Sequence, residues 1–434
     1  MRGIGIDFGT TNSVIAMADD AGQVHAMSWP SCLASAPLQE QTSTYRTALA
    51  FRTKTTDGLR TIQSCGGPQA IAWALDPTDN QRFVQSIKTH LGSHAFKETR
   101  IFGRKQTLEQ IIGLFLHHLV SEGVLSDGAK FPSDVSIAAG RPVVFAGDRP
   151  DEALAVSRLQ NAYTNAGLPS PELVYEPLGA AYWYARDLKH QQTVLVADFG
   201  GGTSDFSVMR FDRKNGRLTA ESLAHDGVGI AGDTFDYRII DNVVSPKLGK
   251  NARYRSFQKM LPVPQHFFAA FSRWHQLSWL KGSKTLSDLD DITDSADEPE
   301  KLIALRCIID NDLGLELYTA ITAAKMQLST SPTADFTFDR LGVTMKARIQ
   351  RSDFERWIAG DISEINAAMD RAIHSAGLDD HAIDAVFLTG GTSYVPAVKS
   401  LFATRFGPEK IHIGNAFQSV ASGLALVARD RAAA

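Results

Sequence analysis

The stretch VLVADFGGGTSDFSV, residues 194–208, constrains the fold of this chain more than any other part of the sequence. Apolar residues alternate on both sides of a run of three glycines. This pattern predicts a buried strand from Val194 to Phe199, a tight turn, and a returning strand around Phe206 to Met209. The chain is therefore expected to contain a hairpin whose turn is almost free of side chains.

The chemistry of this turn indicates a phosphate site. The backbone N–H groups of Gly200, Gly201 and Gly202 can approach an anion closely, and Thr203 adds a hydroxyl group. An acid beside phosphate repels it, so Asp198 requires a cation between the two. Mg²⁺ is a hard ion that keeps its waters and bridges carboxylates to phosphate. The alternative is a glycine turn that only connects two core strands.

The same element occurs at the start of the chain. In GIGIDFGTTNSVIAM, residues 3–17, a strand leads through Asp7 and a glycine into a second apolar strand. The residues of this second loop are Gly9, Thr10, Thr11 and Asn12. A repeated strand–Asp–Gly–strand unit predicts two similar lobes, each of which contributes one hairpin to a shared cleft.

A third element lies near the end of the chain. AVFLTGGTSYVPAVKSLFATRF, residues 385–406, predicts a strand, a polar turn, and an amphipathic helix that begins near Pro396. The residues of the turn are Gly390, Gly391, Thr392, Ser393 and Tyr394. Glycines and helix N-terminal amides at such a turn can bind a nucleoside or a phosphate.

In this order, the three elements resemble the actin-like ATPase superfamily. Five segments, IGIDFGTTNS, VYEPLGAAYWYA, VADFGGGTSDFSV, AAKMQLSTS and LTGGTSYVPAVKSLF, resemble the nucleotide-binding domain of the seventy-kilodalton heat-shock chaperone family. The sequence between them is poorly similar, so the chain looks like a divergent member, and we expect one without the family's peptide-binding domain. The resemblance implies an α/β fold with two duplicated ribonuclease H-like lobes around a nucleotide cleft.

The resemblance also implies lobe boundaries. Lobe I is expected over residues 1–190, completed by a C-terminal helix within residues 415–434. Lobe II is expected over residues 191–414, with a helical insert around residues 245–315. This division rests on the duplicated motif and on the family pattern.

The insert is the least family-like part of the chain. Phe267, Phe271 and Trp274 have helical spacing, which predicts core packing or, as an alternative, a stripe that contacts a partner. Residues 288–300, DLDDITDSADEPE, contain seven acids and no base, and we expect a solvated loop there.

By resemblance, the ligands are ATP or ADP with Mg²⁺, and the reaction is ATP hydrolysis. Asp7 and Asp198 would hold Mg²⁺ through water. Lys88, in FVQSIKTHLG, would reach the γ-phosphate and steady the attacking water, and Glu176, in the YEP segment, would help to polarise that water. Asp198 and Thr203 complete the implied catalytic set. Slow turnover suits a switch whose output is a rotation of the lobes.

The segment that should bind the nucleoside departs from the family pattern. Lys325 and Ser329 match the family pattern. The family usually has a glutamate where this chain has Thr322, and arginines where it has Met326 and Tyr394. A thioether and a phenol can also pack on the face of a base. We therefore expect weaker binding with less preference for adenine, or else side chains that only fill the core.

Composition excludes several other classes of function. The net charge is −4 and no basic stripe is present, so nucleic acid is not an expected partner. The three cysteines Cys32, Cys65 and Cys307 are far apart, which predicts a reducing compartment without a zinc or disulfide framework. The adjacent histidines His117 and His118 lie in a helical pattern and do not share a face, so no metal site is expected there. No signal peptide or spanning helix is evident, and we expect a cytoplasmic monomer without membrane contact.

Three functions of different kinds remain open at this stage. The first is an ATPase switch of the chaperone family that acts on protein clients or co-chaperones docking on its lobes. The second is a small-molecule kinase of the same superfamily, with Glu176 as the candidate base. The third is an actin-like filament protein. A pocket that senses nucleotide without hydrolysing it is a further alternative, given the departures described above.

Overall fold

The computed structural model is a mixed α/β protein. It describes residues 2–29, 43–56, 59–75, 81–125, 131–132, 135–147, 149–186, 188–214, 217–271, 283–414 and 418–432. Cys32 and Trp274 lie outside these residues, so the interpretations of both stay predictions. Among the described helices, none is both long and apolar enough to span a bilayer.

The strands and helices of the described residues are as follows. The strands are β1 Gly3–Phe8, β2 Asn12–Ala18, β3 Val24–Ala26, β4 Tyr45–Arg46, β5 Ala48–Thr56, β6 Leu59–Gly66, β7 Gln81–Gln85, β8 Glu98–Ile101, β9 Arg104–Thr107, β10 Ser136–Arg141, β11 Glu172–Tyr175, β12 Gln192–Phe199, β13 Ser204–Lys214, β14 Arg217–Val228, β15 Arg253–Ser256, β16 Lys259–Pro262, β17 Thr333–Arg340, β18 Val343–Gln350, β19 Ala385–Thr389 and β20 Ile411–Ile413. The helices are α1 Gly67–Leu75, α2 Leu108–Glu122, α3 Glu152–Asn165, α4 Glu176–Ala185, α5 Gly232–Ile239, α6 His266–Ala269, α7 Ser283–Thr293, α8 Pro299–Asp310, α9 Gly314–Thr330, α10 Arg351–Ser375, α11 Pro396–Phe406 and α12 Ser419–Ala432.

The chain forms two compact units. The first unit comprises Met1–Ala231, Glu364–Ser393 and Val398–Ala434, and the second comprises Gly232–Ser363 and Tyr394–Ala397. These units are defined by how densely their residues pack together, whereas the predicted lobe boundaries are defined by the duplicated motif and the family pattern. The lobe boundaries therefore stay a prediction.

Two sheets of the first unit carry the predicted motifs. One has the order β11-β10-β1-β2-β3, with β4 paired to β2, and the other has the order β14-β13-β12-β19-β20. Strand β1 carries Asp7 and strand β12 carries Asp198. Each of these two strands pairs with a parallel strand on one side and an antiparallel strand on the other. The two hairpins thus occupy equivalent places in two similar sheets, as expected from the duplicated sequence pattern.

Helix α12 packs directly on the first of these sheets and on α4. A Cβ on Gly5 would lie 2.0 Å from the carbonyl oxygen of Ala421, and one on Gly423 would lie 1.6 Å from that of Gly179. Only glycine permits backbones to approach so closely. The contact between α4 and α12 supports the N-terminal end of α4, where Glu176 is located.

The second unit has its own apolar core. Phe267, Phe268 and Phe271 are almost fully buried, which confirms the core role expected for Phe267 and Phe271. The loop expected over residues 288–300 is wrong at both ends, because α7 continues to Thr293 and α8 begins at Pro299. Leu289 and Ile292 lie three residues apart and are buried, and this helical spacing outweighs the acidic composition.

Candidate functional site

Asp7 and Asp198 each lie one residue before the end of a strand, immediately before a glycine turn. The register of β1 with β2 extends to Phe8 and Ser13, and that of β12 with β13 extends to Phe199 and Ser204. The amide of Gly200 donates to the carbonyl oxygen of Thr203 at 2.9 Å and closes the second turn. These hairpins form as the alternating apolar pattern predicts.

Lys88 and Glu176 form a buried ion pair. Lys88 lies in a 3-10 turn, Ile87–His90, and Glu176 is the first residue of α4, directly after β11. Lys88 Nζ is 2.5 Å from Glu176 Oε1, and each residue is 7% exposed. Burial alone would lower the pKa of Lys88, but the charges of Glu176 and Asp7 outweigh it and raise the pKa.

The acids around this pair repel one another. Burial and the charge of Glu176 raise the pKa of Asp7 to about 7, although Lys88 partly opposes the shift. Burial, Glu176 and Asp7 raise the pKa of Asp198 well above its usual value. The charges of Asp7, Asp198 and Glu176 act on one another. These residues are far apart in sequence, and the fold brings them together.

Asp205 belongs to the same cluster, although the sequence reasoning assigned it no role. It is buried on β13 and accepts a hydrogen bond from the Thr203 hydroxyl at 2.8 Å. The backbone amides of Val143 and Val144 also donate to it, at 3.0 and 3.3 Å. Burial and Glu176 raise its pKa to about 7. The signal that could have identified it is an acid directly after the glycine turn, within the returning strand of the hairpin.

Among the residues that the structure describes, the cluster has a deficit of positive charge. Four carboxyl groups, those of Asp7, Glu176, Asp198 and Asp205, surround one ammonium group, that of Lys88. A bound divalent cation would offset this repulsion, so the donor set fits Mg²⁺. Among the described residues, no three acidic, histidine or cysteine side chains converge closely enough to coordinate an ion directly. Mg²⁺ usually keeps several of its waters, so carboxylates can hold it through water.

A buried hydroxyl close to the cluster supports this fit. Tyr163, on α3, is fully buried, and its hydroxyl has no hydrogen-bond partner among the described residues. Burial raises its pKa, and the charges of Asp7 and Glu176 add to the shift. A buried polar group without a partner is costly unless water or a ligand satisfies it.

The glycines of the second hairpin leave space that the fold itself does not use. A Cβ on Gly200 would lie 3.5 Å from its nearest neighbour, the carbonyl oxygen of Thr203, and one on Gly202 would lie 3.9 Å from Thr10 Oγ1. Both distances are ordinary contacts. By contrast, Gly390 has a φ of +83°, and its Cβ would lie 2.0 Å from the carbonyl oxygen of Phe199. The fold requires glycine at residue 390, whereas the cradle at residues 200 and 202 is open to a ligand.

Among the other predicted loop residues of the first unit, Thr392 contacts this cradle directly. The Thr392 hydroxyl donates to the carbonyl oxygen of Gly200 at 3.4 Å, and the Ser393 hydroxyl donates to that of Gly390 at 2.6 Å. Asn12 accepts a long hydrogen bond from Arg46 at 3.5 Å. The predicted roles of these loop residues in binding nucleotide stay predictions, as do those of Gly9, Thr10, Thr11, Gly201 and Gly391.

Arg158, which the sequence reasoning also missed, holds the segment that carries Lys88. Its guanidinium group donates to four backbone carbonyl oxygens at 2.6 to 3.2 Å, those of His90, Leu91, Ser93 and Phe96. Its Nε lies 3.3 Å from Glu109 Oε1. Ser86, two residues before Lys88, has a φ of 53°, which is unusual for a residue other than glycine. A buried arginine on α3 thus fixes an irregular turn that places Lys88.

The predicted nucleoside residues lie in the second unit. Lys325 Nζ is 2.9 Å from Asp236 Oδ2 and donates to the carbonyl oxygen of Gly232 at 2.9 Å. The Thr322 hydroxyl donates to the same carboxylate at 3.2 Å, and the Ser329 hydroxyl donates to the carbonyl oxygen of Lys325 at 3.3 Å. These contacts order one face of α9.

Met326 and Tyr394, the residues that depart from the family pattern, do not fill the core. Met326 is 61% exposed and Tyr394 is 41% exposed. The alternative of core packing is therefore wrong for both. Their predicted contact with a base stays a prediction.

The chain matches a known protein family. The family model described as "Hsp70 protein" matches residues 152–255 and 306–430, together more than half of the chain. The matched ranges include Glu176, the second hairpin, α9 and the turn after β19. The match and the α/β architecture confirm the predicted actin-like ATPase fold and the resemblance to the family's nucleotide-binding region. We conclude that this chain belongs to the Hsp70 family.

Proposed function

We propose that this protein is a slow, Mg²⁺-dependent ATPase that works as a nucleotide-driven conformational switch. The observation that carries the proposal is the buried Lys88–Glu176 pair within a cluster of three further acids, beside a glycine turn with room for phosphate. Membership of the Hsp70 family supports ATP binding by a chaperone-family protein. Hydrolysis and its rate are the further steps of this proposal.

Lys88 has the charge and the position to act on the reacting phosphate. Phosphoryl transfer to water requires mainly positioning and neutralisation of the charge on the γ-phosphate oxygens. The raised pKa keeps Lys88 protonated at neutral pH, and Arg158 fixes its turn. Lys88 then stabilises the developing charge, while Glu176 orients the attacking water.

The carboxyl groups have two roles. Asp7 and Asp198 would hold Mg²⁺ through water, and the ion would supply neutralisation of phosphate charge. Asp205 has a pKa of about 7 and can accept the proton that the attacking water loses, because a general base works best when its pKa is near the working pH. Thr203 donates to Asp205 and holds it in place.

The nucleoside contacts of this proposal rest on the family resemblance. Lys325 and Ser329 approach the ribose, and Met326 and Tyr394 replace the planar guanidinium groups that usually enclose adenine. Neither a thioether nor a phenol carries the fixed charge and the planar fork of arginine. We expect the protein to bind ATP only slightly more tightly than GTP. Titration of labelled ATP and GTP tests this, and tight binding with a strong preference for ATP contradicts it.

The output of the switch is a change in the lobes that protein clients or co-chaperones read by docking on them. We place the protein in the cytoplasm as a monomer. The net charge of −4 without a basic stripe argues against nucleic acid as the partner. The partners are therefore proteins in this proposal.

The proposal is tested by phosphate release from purified protein with ATP and Mg²⁺, with nucleotide binding followed in parallel. Asp7→Asn and Asp198→Asn should each abolish the Mg²⁺-dependent turnover. Asp335→Asn is the matched control, because Asp335 is an exposed acid paired with Arg348. Equal turnover in all four proteins contradicts the proposal, and binding without turnover in the wild type identifies a nucleotide sensor instead.

A further inference from the structure

Four polar side chains of the first unit form a second cluster, apart from the acids described above. Ser64 lies in β6, His118 and Glu122 lie one turn apart on α2, and Tyr45 lies in β4. The proposed ATPase chemistry uses none of them. Their hydrogen bonds form a continuous chain.

The chain has the order serine, imidazole, carboxylate. Ser64 Oγ is 3.1 Å from His118 Nε2, and His118 Nδ1 is 3.0 Å from Glu122 Oε1. An ionised carboxylate can only accept, so Nδ1 carries the proton and Nε2 accepts the hydrogen bond of the Ser64 hydroxyl. This is the tautomer that a general base requires. A nucleophile, its base and a group that orients the base define an activated serine by geometry, whatever the fold.

Tyr45 and Gly66 hold this arrangement in place. The Tyr45 hydroxyl donates to Glu122 Oε2 at 2.7 Å and leaves Oε1 for His118. A Cβ on Gly66 would lie 2.6 Å from Tyr45 Oη and 2.8 Å from His118 Cβ. The side chain of His118 is only 16% exposed. Close packing thus limits the orientations open to the imidazole ring.

The backbone after Ser64 leads directly into the first turn of a helix. Strand β6 ends at Gly66, and α1 begins at Gly67, three residues after Ser64. Amides in the first turn of a helix have no acceptor within that helix, and they favour negative charge. In the proposed reaction, these amides are the candidate donors to the carbonyl oxygen of the substrate, which becomes negative when Ser64 attacks.

We propose that Ser64 is an activated nucleophile and that this cluster hydrolyses uncharged esters of short carboxylic acids. Ser64 Oγ bonds to the ester carbonyl carbon while His118 takes the hydroxyl proton. The bond to the alcohol oxygen then breaks, and the alcohol leaves with that proton. Water attacks the acyl-serine with the help of His118, which releases the acid and restores Ser64.

The contacts determine the class of ester. Tyr45 and His118 pack closely around Gly66, which favours a short acyl group over a bulky one. Glu122 is 41% exposed and negatively charged, which disfavours anionic esters. Short, uncharged esters such as p-nitrophenyl acetate meet both conditions.

The neighbouring Cys65 does not compete as the nucleophile. Adjacent residues of a strand point to opposite faces, and the Cys65 thiol lies 4.0 Å from the carbonyl oxygen of Ala50. Burial, with the charge of Glu122, raises the pKa of Cys65 to about 12. Since the thiolate is the reactive form, this thiol is inert at neutral pH.

The test uses the purified full chain, a neutral fluorophosphonate probe and p-nitrophenyl acetate. We expect the probe to label the wild type, with the adduct on Ser64 by peptide mass spectrometry. Ser64→Ala should lose labelling and ester hydrolysis, and His118→Gln should reduce hydrolysis by about 10²-fold or more. Glu122→Gln keeps the shape of the orienting group and should also reduce the rate.

A matched control is Ser363→Ala, because Ser363 is an exposed helix serine that donates only to the carbonyl oxygen of Ala359 among the described contacts. It should label and hydrolyse as the wild type does. Far-UV circular dichroism and nucleotide binding of each variant show whether it is folded. An unlabelled wild type, an adduct on another residue, or equal hydrolysis by folded Ser64→Ala overturns the proposal.

Discussion

Lys88 Nζ lies 2.5 Å from Glu176 Oε1, and both side chains are buried. Removal of one partner from such a pair leaves a buried charge without compensation and costs about 3–5 kcal/mol of stability. The pair therefore has two separable properties. Its balance of charge stabilises the fold, and in our proposal its ammonium group also serves the reaction.

The first prediction separates these two properties. Lys88→Met should lower the melting temperature and abolish ATP hydrolysis. The double variant Lys88→Met with Glu176→Gln should recover part of the melting temperature, because one buried charge is removed, but no hydrolysis. Lys105→Met is the control, since its pair with Glu98 is exposed and contributes at most about 1 kcal/mol. Hydrolysis by the double variant at the wild-type rate contradicts the role of Lys88.

The second prediction concerns the glycines of the phosphate cradle. Gly202→Ala should weaken ATP binding and leave the melting temperature almost unchanged, because a Cβ there has only ordinary contacts within the protein. Gly390→Ala should lower the melting temperature strongly, because the backbone of residue 390 has a positive φ and no space for a Cβ. Calorimetry for stability and titration of labelled ATP for binding measure both effects. Equal affinity for ATP in wild type and Gly202→Ala argues against phosphate at this turn.

The third prediction assigns Arg158 a positioning role. Arg158→Met removes the hydrogen bonds that hold the Lys88 turn, and a shift of about 1 Å at a reacting group can reduce the rate about 10²-fold. We expect kcat to fall while KM for ATP changes little. Arg158→Lys should recover part of kcat, and Arg210→Met is an exposed control. A lower melting temperature with unchanged kcat would show that Arg158 serves the fold alone.

The fourth prediction follows from the raised pKa values of the acid cluster. Asp7 and Asp205 keep their protons in the folded protein up to a pH of about 7, whereas the unfolded chain releases them near its usual pKa of 3.8. Between these values the folded state binds more protons than the unfolded state, so its stability falls as pH rises and then levels off. In metal-free buffer, the melting temperature should decrease from pH 5 to pH 8. Mg²⁺ with ADP should raise it more at pH 8 than at pH 5, and a flat metal-free profile contradicts the cluster.

The sequence predicted the hairpins well because their signal is local. The alternating residues before Asp7 and Asp198 and the glycines after them determine strand and turn within a few positions. Lys88 and Glu176 were identified only through the family resemblance, since their 2.5 Å contact joins residues 88 positions apart. No periodicity within either segment specifies such a contact.

The residues that were missed owe their roles to tertiary structure. In the sequence, Arg158 looks like an ordinary charged helix residue. Its four carbonyl partners lie in residues 90–96, and only the fold brings that segment close to Arg158. Asp205 belongs to the segment VLVADFGGGTSDFSV. The two amides that donate to its side chain belong to Val143 and Val144, in a distant segment of the chain. The acidic segment before Thr293 misled the prediction because composition was weighed above helical spacing.

Single-turnover hydrolysis of ATP with and without Mg²⁺, by wild type and by Asp198→Asn, tests the central claim most directly. The account predicts slow hydrolysis by the wild type that depends on Mg²⁺ and is lost in Asp198→Asn, although that variant stays folded. Hydrolysis by Asp198→Asn at the wild-type rate, or no bound nucleotide in the wild type, would contradict it.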